Sequence, residues 1–300
     1  MITVFGSINL DLVTRVVQLP RPGETVYGSD IAQFPGGKGA NQALAACRAG
    51  TDVRLVGAVG SDDFAALALS ELRDAGVDLS AVEVRGDTTG VAVITVNEAG
   101  ENTIILSPGA NLRGDARQIS FDAFGVGDTL MLQMEVAERE TFAAAGAAKA
   151  AGAQVILSLA PFVPLAREAF SDISILLVNE TEAADLVGHY GIAGSGHDSI
   201  ARALAESLDL IVVVTLGAEG AVASDGTKET RVETLPVEPI DTTGAGDTFA
   251  GVLAAGLDAG DDLKTAMRHA AAAGALACTK SGAQPSFPTG AEIRHALSVA

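Results

Sequence analysis

Twelve residues, DTTGAGDTFAGV from Asp241 to Val252, set two carboxylates on either side of a run of small residues. Phe249, Val252, Leu253 and Leu257 then recur at helical spacing, which puts Asp247 in the first turn of a buried helix. The leading amides of a helix have no intrahelical partner and carry partial positive charge, so they attract anions. Gly244, Ala245 and Gly246 leave that surface bare. Asp247 is therefore either a helix cap or a proton acceptor beside a bound anion. One acid suffices for a cap, so Asp241 needs a reason of its own.

Two other stretches carry chemistry. In PGGKGANQA, Gly36, Gly37 and Gly39 form a bare loop from which Lys38 projects, and Asn41 opens a helix. In GSINLD, Asn9 and Asp11 leave the first strand at its carboxyl edge, where open α/β sheets bind ligands. An amide and a carboxylate together suit a polyhydroxylated substrate, although a turn with a cap accounts for them locally as well. The glycine loop is not a Walker phosphate loop, which requires Gly at 32 and Ser or Thr at 39, where this chain has Ala32 and Gly39. GSINLD has a single glycine, so the dinucleotide fingerprint is missing too, and with it the case for a Rossmann dehydrogenase.

Positioning these residues falls to alternating strands and helices. The apolar runs ITVFG, VRLVGAVG, TLMLQM, AQVILSL, SILLVN and LIVVVTLG are separated by helical patterns at 38–50, 63–75, 138–151 and 198–208. Continuous hydrophobicity marks strands covered on both faces, which predicts a doubly wound α/β fold with a mostly parallel sheet between helix layers. Residues 11–35 and 87–107 alternate polar and apolar side chains instead, with NEAGEN as a hairpin connection. They predict a small half-exposed β-sheet, formed by about 11–37 and 87–107, lying over one edge of the core as a lid, with a decorative hairpin or a dimer surface as the alternatives. Residues 258–300 read as helical with a break at KSGAQPSFPTG. No linker or internal repeat divides the chain, so residues 1–300 are expected to form one domain with a lid.

Composition excludes several functions. A formal charge of −19, no Trp and no Lys/Arg run argue against a nucleic acid partner and against an anionic membrane surface. No apolar run reaches spanning length and the opening residues read as a strand, so the expected location is the cytoplasm. Cys47 and Cys278 sit in Ala-rich helical patterns and read as small buried hydrophobes; the four histidines show no ligand spacing.

PGGKGANQA and DTTGAGDTFAGV together resemble the two signature motifs of the ribokinase-like, PfkB-type carbohydrate kinases, and the resemblance runs from GSINLD to GAQPS. Within that family the ribokinase branch matches best, through PGETVYG, GAN at 109–111, NETEA at 179–183 and GAQPS at 282–286. The resemblance implies ATP-dependent phosphorylation of a sugar hydroxyl, D-ribose to D-ribose 5-phosphate first, with another furanose, a ketose derivative or a nucleoside as the alternative acceptor. A non-catalytic sugar-binding regulator is the alternative from another class.

Residue by residue, the resemblance implies that Asn9, Asp11, Gly37, Lys38, Asn41 and Glu135 hold the sugar while Ala92, Ile94 and Leu106 close over it. Asn179 and Glu182 match an N-x-x-E that organises Mg²⁺ and phosphate through water, and Thr215, Gly217 and Gly220 of TLGAEG line the ATP cleft. Asp247 matches the catalytic base, and the amides of Gly244, Ala245, Gly246 and Asp247 match the anion hole. Asp241 and Thr243, carbonyls of Ala277, Lys280 and Gly282, and the Ser286 hydroxyl region match a site for a monovalent cation such as K⁺. A homodimer through the lid is expected as well. One departure stands out: Ser158-Leu159 precedes Ala160-Pro161, where ribokinases usually read Asn-Pro.

Overall fold

The computed structural model describes residues 1–121, 124–192 and 196–299. The six continuous apolar runs become β1 (Ile2–Phe5), β4 (Val53–Val59), β8 (Thr129–Leu132), β9 (Gln154–Ser158), β10 (Ile175–Asn179) and β11 (Ile211–Thr215), all mutually parallel. Among the described residues three more strands complete the sheet: β5 (Asp78–Val84), parallel at one edge, and the antiparallel pair β12 (Ala221–Ser224) and β13 (Glu229–Val232) at the other. The order is β13-β12-β11-β10-β9-β8-β1-β4-β5.

Successive side chains point to opposite faces of a strand, and each face here has its own core. Val4 and Met131 pack with α1 (Lys38–Ala49), α7 (Ala245–Asp258) and α8 (Leu263–Ala277), whereas Phe5, Leu130 and Leu132 pack with α4 (Glu138–Ala150), α5 (Glu180–Tyr190) and α6 (His197–Leu208). Alanine-rich helices approach closely. At the contact of α1 with α7, a Cβ on Gly251 would stand 2.5 Å from the backbone oxygen of Gln42, so only glycine lets the two helices meet there.

The alternating segments form a second sheet, ordered β3-β2-β6-β7, from β2 (Asn9–Arg15), β3 (Ala32–Gly36), β6 (Gly90–Val96) and β7 (Asn102–Ser107). The expected strand span of 11–35 is corrected: only its ends pair, because Pro20 and Pro22 lack the amide a ladder needs and the stretch from Pro20 to Ile31 is exposed. The helical pattern at 63–75 is likewise two short helices, α2 (Phe64–Ala68) and α3 (Ser70–Ala75), separated at Leu69, whose backbone sits at φ −96°, ψ 0°. The carboxyl-terminal pattern resolves into α8 and α9 (Gly290–Val299), with Ala300 outside the described residues. No helix is long and apolar enough to cross a membrane among the described residues.

From β1 the chain builds outward to β4 and β5 on one side, then returns to build β8 through β13 on the other. The carboxyl ends of the neighbours β1 and β8 therefore mark the point where strand order reverses, and a crevice opens there.

Candidate active site

At this crevice Ser7 leaves β1 and Glu135 follows β8. The Ser7 hydroxyl donates to Glu135 Oε2 at 2.5 Å, the amide of Lys38 donates to the same oxygen at 3.2 Å, and the amide of Gly39 donates to Ser7 Oγ at 3.3 Å. The first amides of α1 are thus capped from across the sheet rather than by a residue of their own loop. Gly37 makes that approach possible, with φ of 91° and its α-carbon so close that a Cβ would stand 2.7 Å from the Asn9 amide nitrogen. Asn111 fixes the next turn: its Oδ1 accepts from the Ile8 amide at 2.9 Å, and its Nδ2 donates to Asn9 Oδ1 at 2.7 Å.

The small sheet sets one face toward this region. Asn9 pairs with Gly90 and Asp11 with Ala92 across β2 and β6, while Ala92 pairs with Leu106 and Ile94 with Ile104 across β6 and β7. Paired residues and those two apart share a face, so Asn9, Asp11, Ala92, Ile94 and Leu106 stand together on one side. Ala92 is buried and Leu106 is 47 % exposed, which leaves the far end of that face open.

The first turn of α7 lies opposite. Gly244 precedes it with φ of 77° and no side-chain cap, the Ala245 amide is taken by the Thr242 carbonyl, and a Cβ at Gly246 would touch nothing. The next amides, of Gly246 and Asp247, have no hydrogen-bond partner in the turn before the helix. Asp247 receives the Asn41 side-chain amide on Oδ2 at 2.9 Å and that of Gln42 on Oδ1 at 3.1 Å. Lys38, Gly246 and Asp247 line a cleft of about 230 Å³ with Ser158, Asn179 and Thr215, the last residues of β9, β10 and β11.

Glu182 lines the same cleft and forms a capping box with Asn179: each side chain accepts the other's amide, at 2.8 and 2.9 Å. Gly217 and Gly220 bound a 3₁₀ turn just past Thr215, away from the cleft lining, where a Cβ on Gly220 would press against the Val232 carbonyl.

Four acids share this space with Lys38. Burial first, then the charges of Glu135 and Asp247, push the Asp11 carboxyl up to about 7, against the pull of Lys38. Asp247 is the main reason the Lys38 ammonium is held above its ordinary value; burial opposes it, and Glu135 and Glu182 add to it. Burial likewise pushes Glu182 up, partly offset by the Asn179 amide and Lys38.

The second acid of the opening motif occupies a separate loop. Asp241 Oδ1 accepts from the Thr243 amide at 2.9 Å and Oδ2 from the Gly282 amide at 2.8 Å, while the amides of Ile240 and Asp241 both reach the Cys278 carbonyl. Burial alone would raise the Asp241 carboxyl, but hydrogen bonds from Thr243 and Gly282 outweigh it and hold it below the usual carboxylate range. Asp241, Thr243 and Gly282 are brought together. Ala277 and Lys280 adjoin through a turn in which the Lys280 amide meets the Ala277 carbonyl, and Ser286 is fully buried with its hydroxyl donated to Ala283.

Ser158 stands on the cleft wall, whereas Leu159 is fully buried and precedes a cis Ala160-Pro161 bond. Several polar partners of the site were not singled out by sequence. Ser7, Gln42, Asn111 and Gln284 lie inside the motifs GSINLD, PGGKGANQA, GAN and GAQPS without being marked as site residues, and Gln133 lies in the apolar run TLMLQM, which carries no sign of a polar role.

The sequence pattern of the pfkB family carbohydrate kinases matches residues 1–290. The ribokinase of Bacillus subtilis is 35% identical over 300 residues, covering 99% of each chain. The crystal structure of ribokinase from Thermotoga maritima superposes with a TM-score of 0.91 at 32% identity, over 99% of both chains. Arabidopsis thaliana ribokinase, solved with ribose and ATP, gives 0.88 at 31% identity, over 100% of this chain and 99% of that one. With a family pattern spanning nearly its whole length, the chain belongs to the pfkB family of carbohydrate kinases.

Proposed function

We propose that the protein transfers the γ-phosphoryl group of ATP to a sugar hydroxyl, with D-ribose as acceptor and D-ribose 5-phosphate as product. The observation that carries this reading is Asp247: a carboxylate at an uncapped helix N-terminus, between the polar face of Asn9 and Asp11 and the cleft ended by Asn179 and Thr215. Similarity to ribokinases at 35% identity over 99% of the chain supports ribose over other sugars.

In this reading Asn9, Asp11, Lys38, Asn41 and Glu135 hold the acceptor, and Asp247 accepts the proton of its hydroxyl as that oxygen attacks phosphorus in line. The amides of Gly246 and Asp247 receive the charge of the migrating group, which a carboxylate alone would repel. Lys38 adds a cation whose charge the surrounding acids stabilise. Ala92, Ile94 and Leu106 exclude water as the small sheet closes.

Two ions fit the residues present. The site holds more acids than bases, so a polyphosphate needs a divalent cation; Glu182, with Asn179 ordered beside it, would hold Mg²⁺ and phosphate through water. When bound, Mg²⁺ supplies charge neutralisation on the phosphates. Asp241, held ionised, and the oxygens around Gly282 form a donor set of oxygens only, the chemistry of a large monovalent cation such as K⁺. One domain with a mobile lid, pairing through the lid into a homodimer, completes the reading. Ile104 and Ile105 of the outer strand β7 are exposed in support. Both cysteines are free, in keeping with the cytoplasm.

The test is ADP release across a panel of pentoses, hexoses and nucleosides at saturating Mg·ATP. D-ribose is expected to give the highest kcat/KM; preference for a nucleoside overturns the ribose assignment.

A further inference from the structure

Asn41 and Gln42 are consecutive in the first turn of α1, yet both side chains reach one carboxylate, one on each oxygen of Asp247. Each is backed by a second amide. Gln284 Nε2 donates to Asn41 Oδ1 at 3.1 Å, and Gln133 Nε2 donates to Gln42 Oε1 at 2.7 Å. Gln42, Gln133 and Gln284 are fully buried, and Asn41 is 6 % exposed.

An ionised carboxylate only accepts, so it dictates the sense of both relays. The NH₂ groups of Asn41 and Gln42 must face Asp247, their carbonyls must face outward, and the two outer glutamines must present NH₂ in turn. Each relay then ends on a carbonyl oxygen with nothing left to accept from, and Gln133 Oε1 and Gln284 Oε1 are buried without a hydrogen-bond partner. Turning Gln133 over would set two carbonyl oxygens against each other. Gly6 leaves the room this arrangement requires, since a Cβ there would stand 1.9 Å from Gln133 Oε1. Buried polar atoms without partners are costly, and two of them at matching ends of one network point to a role other than stability.

We propose that Gln133 and Gln284 are positioning residues that act through Gln42 and Asn41 to hold Asp247 as an ionised acceptor in one orientation toward the cleft. The proposal rests on the reading of Asp247 as the base. Both oxygens of Asp247 face amide donors on the network side, so a proton reaches this carboxylate only from the cleft. Lys38, Asp11 and Glu182 also act on this carboxylate by charge, and they are common to wild type and variants.

The experiment compares Gln133→Met, Gln284→Met and the double variant with wild type and with Asp247→Asn. Measured are kcat and KM for sugar and ATP, the pH profile of kcat, and thermal unfolding. Each single Met variant is expected to lose about 10-fold to 100-fold in kcat with KM within about twofold, the size of effect expected when a reacting group is misplaced. The acid limb of the kcat profile moves to higher pH, because the ionised form has lost support. The unfolding temperature stays near wild type, since one partnerless buried oxygen is exchanged for another: Gln133 Oε1 or Gln284 Oε1 goes, and Gln42 Oε1 or Asn41 Oδ1 loses its donor. Wild-type kcat and pH profile in both Met variants overturn the proposal, as does a loss of kcat accompanied by a matching loss of folded protein. If neither Met variant folds, Gln133→Glu, of nearly the same shape, replaces the donor with an acceptor facing Gln42; unchanged kcat in it overturns the proposal too. Failure of the underlying reading looks different: Asp247→Asn itself then retains turnover.

Discussion

Ser7 donates its hydroxyl to Glu135 at 2.5 Å and so ties together the carboxyl ends of β1 and β8, the two strands between which the crevice opens. The same Glu135 oxygen receives the Lys38 amide. Ser7→Ala leaves Glu135 short of a donor and the Gly39 amide short of an acceptor. It is expected to cost about 1 kcal/mol of stability and, by freeing a carboxylate proposed to hold the sugar, to raise the sugar KM about tenfold, while the KM for ATP stays near wild type. Steady-state kinetics in both substrates, with chemical denaturation, check it; an equal rise in both KM values counts against a local effect.

Asp247→Asn is expected to lower kcat about 10²- to 10⁴-fold, the usual loss when a general base is removed. Asn is a good capping residue, so the fold is expected to persist. Circular dichroism and equilibrium ribose binding separate the two roles, and a variant near wild-type kcat would make Asp247 a structural cap.

Asp11, pushed up to about 7, binds its proton more tightly in the folded chain than in the unfolded one. Its contribution is therefore fully present below the ordinary carboxylate range and is lost as pH rises toward about 7. Asp11→Asn is expected to flatten that part of the stability profile, measured as unfolding free energy from the ordinary carboxylate range up to about pH 7. Sugar hydroxyls donating to Asp11 favour its charged form, so ribose binding near pH 6 is expected to release protons. Calorimetry in buffers of different ionisation heat reads that release, and none at pH 6 would separate Asp11 from the sugar.

Hydrogen exchange over residues 90–106 is expected to slow when ribose saturates the protein, since Leu106 and the strand β7 are exposed without it. Unchanged protection would leave the small sheet with a pairing role only.

K⁺ is expected to raise kcat over Na⁺ or a bulky organic cation at fixed Mg²⁺ and ionic strength, and Asp241→Asn is expected to abolish the difference. Asp241 joins the turn before α7 to the Gly282 loop, so an ion there orders the first turn of that helix without touching substrate. Equal wild-type rates in all salts would rule the ion out.

The parts of the fold legible in sequence were those whose surroundings are uniform. Strands such as LIVVVTLG are covered on both faces and read as unbroken apolar runs. The edge strand DLSAVEV, β5, mixes exposed and half-buried positions and has no such signal, and β12, AVAS, carries a single large apolar side chain. Leu69 is an ordinary helix former, and nothing in its type announces the break between α2 and α3. In the site, glycine-rich turns and lone charges stand out because so few structures need them. Gln133 and Gln284 do not, because a glutamine reads the same whether it faces water or is sealed beneath a carboxylate.

Asn41 and Asp247 are 206 residues apart in the chain and 2.9 Å apart in space. The helices that carry them, α1 and α7, meet where Gly251 lies on the Gln42 backbone. The apolar face of α1 is therefore made early in synthesis and stays without its cover until α7 has left the ribosome. Contacts of such separation are closed late and slow folding, which exposes the nascent chain to aggregation over that interval. The same helix contact that aligns the acid with its amides makes the first half of this protein dependent on the second for burial, so amino-terminal fragments that stop before residue 245 are expected to require chaperones and to bind no sugar.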